Sequence, residues 1–386
     1  MRYHPVLPSL LLSSLVSAVP NPVASSPASS AFVSSSVVPS GSAPFTPSGG
    51  LLANFTPPVY KTLSDFDFQS LNLGLHQEYI ELDLFHHGLA QFSDEEFDAA
   101  GIDAEDRYLI QYMAEQEIGH ATALTNMIGA NATKPCTYRY PFTTVREFID
   151  FNVKVTRWGE AGVYGFLEQL NSRPAAQIVL QSITVEARQQ MAFRQFEGLF
   201  PMPFWHTTGI TQSMQWTLLA PYIVSCPAEN PHLIWQNFPA LNITNNPSAV
   251  PLVNSTEFGN STLADITNNR TIPLSAPGRQ LNLTWELPGK TVGPNNSYTT
   301  NTTAGEPKFV AWFSQLNTTY TLLENINGTT GTTIQPGGNI FGNDTAPIIN
   351  GTVFVAITDS DIFVTPFNLS EVNPHIVAGP ALYTSG

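Results

Sequence analysis

The feature that most constrains this chain is a glutamate at the middle of each of four amphipathic stretches between residues 65 and 198. In the first, Leu71, Leu75, Glu78, Leu82 and Phe85 follow the 4, 3, 4, 3 spacing of one helical face. Ile110, Met113, Glu117, His120, Leu124 and Met127 repeat the pattern, so Glu117 and His120 share a face one turn apart. The third stretch carries Ile149, Val153, Thr156, Glu160, Val163 and Leu167, and the fourth Ala175, Ile178, Ser182, Glu186, Gln189 and Phe193. Helices that bury these faces against one another bring four carboxylates to one interior. Burying each costs several kcal/mol, and two such charges about 5 Å apart repel by roughly 3 kcal/mol at an effective dielectric of 20. The natural compensations are protonation and a bound divalent cation. The second is the logic of carboxylate-bridged metal bundles, which use a Glu from each of two helices and Glu-x-x-His from each of the other two. Glu117-x-x-His120 has that form, and Glu186-x-x-Gln189 has it with one ligand changed.

Start and stop signals frame the helices. Ser93-x-x-Glu96 and Thr144-x-x-Glu147 are capping boxes, Ser172 precedes an early-turn Pro174, and Gly129 is a stop. The pattern predicts long helices near 65–91, 104–128, 145–171 and 174–198, a short one near 94–100 and a fifth near 210–223. After about residue 239, Asn, Thr, Gly and Pro punctuate short β-prone runs such as Leu281–Trp285, Phe309–Phe313 and Val353–Ile357. The expected fold is multidomain α and β: a four-helix bundle plus a fifth helix over 64–224, then a β-sandwich-like domain over 240–386, joined near 225–245. No period of 20 to 50 residues recurs, which excludes a solenoid.

Composition speaks to compartment and partners. Only 12% of residues are charged and the formal net charge is −15, so a nucleic-acid or anionic-lipid partner is disfavoured. Residues 1–18 read as a signal peptide, with Arg2 before an apolar stretch from Val6 to Val16, and 19–58 as a Ser/Pro/Ala-rich spacer. No later stretch has the roughly 18 apolar residues of a membrane span, and Ala381–Gly386 shows no lipid-anchor tail. Fourteen Asn-x-Ser/Thr sequons, Asn54, Asn131, Asn242, Asn254, Asn260, Asn269, Asn282, Asn295, Asn301, Asn317, Asn327, Asn343, Asn350 and Asn368, mark candidate glycosylated surface. Twelve of them follow residue 240, so the β region is expected to carry most of any sugar. In the oxidising compartment that export implies, Cys136 and Cys226 are expected to form a disulfide.

Four segments carry a family resemblance: Leu75-His-Gln-Glu78-Tyr-Ile-Glu81, Glu117-Ile-Gly-His120, Glu160-Ala-Gly-Val-Tyr-Gly165 and Val185-Glu-Ala-Arg-Gln189. In this order they resemble the ferritin-like domain shared by plant desiccation-related proteins and secreted fungal stress-response or late-sexual-development proteins, over about residues 64–222. The run Val377-Ala-Gly-Pro-Ala-Leu-Tyr383 is similar to the fungal branch. The resemblance implies a ferritin-like bundle with a two-metal site for iron or manganese, and no firmly established reaction. Glu78, Glu117, Glu160 and Glu186 would then be carboxylate ligands and His120 the imidazole ligand. Gln189 departs from the pattern, because an amide oxygen is a weaker, harder ligand than imidazole. Either one ion is retained through Glu117, His120 and bridging carboxylates, or the acids are held by hydrogen bonds and protonation. The cofactor expectation is therefore one or two Fe or Mn ions, or none. Glu81, one turn from Glu78, is the alternative ligand on the first helix; His86, His87, Glu115 and Glu168 read as solvated, and Trp158 and Trp216 as core.

Two functions follow. One is a secreted ferritin-like metal protein, linked by resemblance to stress response or sexual development. The other is a non-catalytic extracellular or cell-wall-associated scaffold with an empty bundle, whose β-domain makes the contacts. No Gly-x-Ser-x-Gly elbow or phosphate loop points to another chemistry. A β-domain of about 140 residues would crowd a ferritin shell, but the sequence does not give an oligomeric state.

Overall fold

Side-chain oxygens fix where the helices begin in the computed structural model, which describes residues 59–250 and 274–386. Ser64, Ser93, Asp103, Thr144, Ser172 and Thr211 each accept a first-turn backbone N–H. The helices they cap are α1 (Asp65–Gln91), α2 (Asp94–Ala99), α3 (Ala104–Ile128), α4 (Val145–Leu167), α5 (Arg173–Glu197) and α6 (Gln212–Leu219). Gly129 and Gly198, both at φ 85°, end α3 and α5. Helix α4 stops at Leu167, short of the expected 171. The reason is Asp67 at the head of α1, whose buried carboxylate accepts from the N–H groups of Asn171 and Ser172 at 2.7 and 3.0 Å and holds them in the turn to α5. The expected signal segment, the spacer and sequons Asn54, Asn254, Asn260 and Asn269 lie outside the described residues.

Helices α1 and α3 pack as one pair and α4 and α5 as another, with α6 against α4. The contact of α4 with residues 210–215 is close enough to require glycine. A Cβ at Gly165 would lie 1.7 Å from the Ile210 carbonyl oxygen, and one at Gly162 would lie 2.1 Å from the Gln215 side chain. Short strands β1 (Thr137–Tyr138) and β2 (Ile223–Ser225) pair antiparallel beside the Cys136–Cys226 disulfide, which closes a separation of 90 residues as expected.

The β region comprises β3 (Leu241–Ile243), β4 (Gln280–Trp285), β5 (Thr291–Val292), β6 (Tyr298–Thr299), β7 (Phe309–Ser314), β8 (Asn317–Leu322), β9 (Glu324–Asn327), β10 (Thr330–Ile334), β11 (Thr352–Thr358) and β12 (Ile376–Thr384). One antiparallel sheet runs β3-β4-β10-β9 and another β12-β11-β7-β8, while β5 and β6 form a small ribbon. Alternation along the strands sets the layering. Val310, Trp312, Val353, Val355 and Ile357 pack with Leu241, Leu281, Leu283 and Trp285 of the first sheet. Their neighbours Ala311, Phe313, Phe354 and Ala356 face the other way, into the helical core with Phe148, Phe193 and Trp216. The second sheet is therefore a middle layer, which explains why β11 is buried at every position. The expected helical region and pair of β layers are present, and residues of both contribute to one of the apolar clusters.

Gly165→Ala should destabilise the protein by about 3 kcal/mol, since backbone and not a flexible side chain must give way. Chemical denaturation measures this; an unchanged midpoint would show that the 210–215 segment moves freely off α4.

Candidate metal centre

Helical spacing delivers four ligating groups to one point. Glu78 from α1, Glu117 and His120 from α3, and Glu186 from α5 each offer an atom within 4.8 Å of the others. All three carboxylates are buried, and His120 is the most exposed of the set at 12%. His120 Nδ1 lies 3.0 Å from Glu117 Oε2, 3.3 Å from Glu78 Oε2 and 3.9 Å from Glu186 Oε1. One imidazole nitrogen thus faces three carboxylates. Glu81 is also fully buried, and its Oε1 accepts from Gln77 Nε2 at 3.0 Å. The Oε2 atoms of Glu81 and Glu186 and the Oε1 of Gln189 are buried with no donor, and Glu78 Oε2 lies 3.3 Å from His120 Nδ1.

The charges are perturbed accordingly. Burial, followed by the neighbouring charge of Glu117, pushes the Glu78 carboxyl well above the usual range. Burial acts first on Glu81 and Glu186 too, with Glu186 and Glu117 adding to the rise at Glu81, and Glu78 and Glu117 adding to it at Glu186. Burial by itself would lower His120, but the Glu117 hydrogen bond and the surrounding carboxylates outweigh it and raise the imidazole.

Glu160, expected among the ligands, does not join this cluster. Its Oε2 accepts from Arg157 Nη1 at 3.0 Å and Gln190 Nε2 at 3.4 Å, and its Oε1 from Thr207 Oγ1 at 3.3 Å. Arg157 is itself buried, donates from Nε to the Thr352 carbonyl of β11 at 3.0 Å, and lies 4.3 Å over the Phe204 ring. Gln189 is at the site as a donor: its Nε2 bonds Glu117 Oε1 at 2.5 Å and Gln116 Oε1 at 3.2 Å. His86, His87, Glu115 and Glu168 are exposed, while Trp158 and Trp216 are buried. Sequence reasoning missed Arg157, although its i, i+3 spacing from Glu160 is the signal that would have found it.

Three carboxylates and an imidazole form an oxygen and nitrogen donor set that fits iron or manganese, and the donorless buried oxygens are the positions a cation would satisfy. The set is sufficient for one ion. The second imidazole of the two-metal pattern is replaced by Gln189, and the further buried carboxylate beside the set is Glu81 rather than Glu160.

Two outcomes follow. Glu186→Gln should stabilise the metal-free protein by about 1–3 kcal/mol while weakening metal binding, because an amide replaces a buried carboxylate short of donors. The sign of the pH dependence agrees. The raised carboxyls hold protons in the fold that the unfolded chain has released, so metal-free stability falls as pH rises above the ordinary carboxyl range, and Glu186→Gln should flatten that fall in thermal melts. Gln189→His, assayed by metal stoichiometry, should leave the count at one ion while Arg157 holds Glu160. A gain of a second ion would show that this pair yields.

Comparison with known proteins agrees with the site's construction. The family described as "Ferritin-like domain" matches residues 66–199, which include every residue of the cluster. Protein rds1 of Schizosaccharomyces pombe is 53% identical over 347 residues, covering 89% of this chain and 86% of that protein. The chain therefore belongs to the fungal ferritin-like family that includes Protein rds1.

Proposed function

We propose that this is an exported ferritin-like protein that holds a single iron or manganese ion through Glu78, Glu117, His120 and Glu186. The observation that carries this reading is the convergence of these groups in a buried space with more acceptors than donors. When bound, such an ion supplies Lewis acidity and one-electron redox chemistry toward a small oxidant. The chain's own residues order the ligands and their neighbour: Gln189 fixes one oxygen of the ligand Glu117, Gln77 fixes one oxygen of the adjacent Glu81, and Trp158 Nε1 in turn fixes Gln77 at 3.0 Å. Export is supported by the disulfide and by the surface position of the sequons. Asn131, Asn242, Asn282, Asn295, Asn301, Asn317, Asn327 and Asn343 are exposed, whereas Asn350 and Asn368 are half-buried with their amides donating to backbone carbonyls. No described helix is long and apolar enough to cross a membrane. A role in stress response or sexual development rests on resemblance alone.

The second reading, an empty scaffold of the cell wall or extracellular space, is favoured by the way Arg157 and Gln189 give Glu160 and Glu117 partners without metal. Elemental analysis of protein purified without added metal separates the two. The proposal expects about one iron or manganese per chain, absent from a Glu117→Ala, His120→Ala variant, and a loss of roughly 2–3 kcal/mol of stability on chelation. Metal-free protein whose melting is indifferent to chelator would leave the scaffold.

A further inference from the structure

Between α3 and α5 lies a pocket of about 240 Å³, lined by Gly119, His120, Ala123, Leu124, Met127, Ile178, Val179, Gln181 and Ser182. It adjoins the centre through His120, which lines it and is the one cluster residue more than a few per cent exposed. The Nδ1 of His120 is turned to the carboxylates, so Nε2 is the ring nitrogen not engaged with them.

The wall is mostly apolar, from Leu124, Met127, Ile178 and Val179. Its volume is smaller than the roughly 300–1,000 Å³ of sites for drug-sized ligands. Ser182 already donates to the Val179 carbonyl at 2.8 Å, so its hydroxyl is left as an acceptor. Three carboxylates behind His120 and a net charge of −15 repel anions.

A second observation concerns Gly119. The glycines Gly88, Gly159, Gly162 and Gly165 have neighbours that a Cβ would strike, whereas a Cβ at Gly119 would meet nothing within 4 Å. Glycine inside an exposed helix costs stability relative to alanine, and packing does not require it here. Gly119 lines the pocket next to His120 and brings no side chain to it.

We propose that this pocket binds a small, neutral, mainly apolar molecule with one polar end, which docks against His120 Nε2. As the substrate class of the centre, the proposal rests on the metal reading, but its test needs no metal. Diethyl pyrocarbonate, itself small, neutral and mainly apolar, acylates accessible imidazoles. Its reaction with metal-free full-length protein in mildly alkaline buffer can be followed by peptide mapping at His120, with exposed His86 and His87 as internal references.

Benzyl alcohol should slow acylation of His120 several-fold and benzoate, of similar shape but negative, should not. Ala123→Phe and, independently, Gly119→Leu should each slow it by about tenfold or more with His86 and His87 unchanged. Gly119→Leu keeps the test decisive if the bulkier change at Ala123 disturbs folding, which circular dichroism reports. Unchanged His120 reactivity in the folded variants, or protection by benzoate equal to that by benzyl alcohol, would overturn the proposal. An absence of bound metal with this protection pattern intact would instead sink the metal reading alone.

Discussion

Where α1, α3 and α5 converge, buried carboxylate oxygens outnumber the hydrogens available to them. Glu78, Glu81, Glu117 and Glu186 share the N–H of one imidazole and the amide hydrogens of Gln77 and Gln189. Other helices supply what order the cluster has. The Trp158 indole on α4 bonds Gln77, whose amide nitrogen bonds both Glu81 and the Val155 carbonyl, so a helix across the bundle sets the direction of a carboxylate on α1. That reach is permitted by Gly159, since a Cβ there would lie 2.8 Å from Gln77 Nε2. The packing of α4 and the chemistry at α1 are one constraint.

Arg157 is the second organiser. Taking a guanidinium out of water is costly, and Glu160 is the carboxylate that offsets it, while Phe204, Phe354 and the Thr352 carbonyl complete its surroundings. Burial draws the guanidinium below its ordinary value, and the charge of Glu160 works against that fall. A residue expected to hold metal instead joins the helices to the middle sheet. The architecture thereby competes with the centre for one carboxylate.

Much of this was legible in residue spacing. The four stripes placed Glu78, Glu117, His120 and Glu186 inward, and Ser93, Thr144, Ser172 and Gly129 marked helix ends, because these effects act within one or two turns of chain. Contacts between distant segments were not legible. The reach of Asp67 to Asn171 and Ser172 shortened α4, and nothing near residue 170 announces it. Glu81, the alternative ligand on α1, is buried as fully as Glu78, with Glu117 and His120 of α3 and Glu186 of α5 as its charged neighbours. A further signal lies in Phe309–Phe313 and Val353–Ile357. Those runs are apolar at successive positions rather than alternate ones, as befits strands covered on both faces.

Arg157 and Gln189 act in the same direction on the number of ions the centre can balance. A carboxylate that bridges two cations through both oxygens needs each of them free of other partners. Gln189 occupies Glu117 Oε1, leaving Oε2 as the oxygen turned to His120 and the cluster. Arg157 removes Glu160, and with it one negative charge and one ligand. Three carboxylates then carry −3 against the +2 of a single divalent ion, a mismatch of one charge that a proton on neighbouring Glu81 leaves no larger. A second cation would find no further nitrogen donor, since Gln189 stands where the pattern has a second His. The two departures from the two-metal pattern are thus consistent with each other, and both fit the proposal of a single ion.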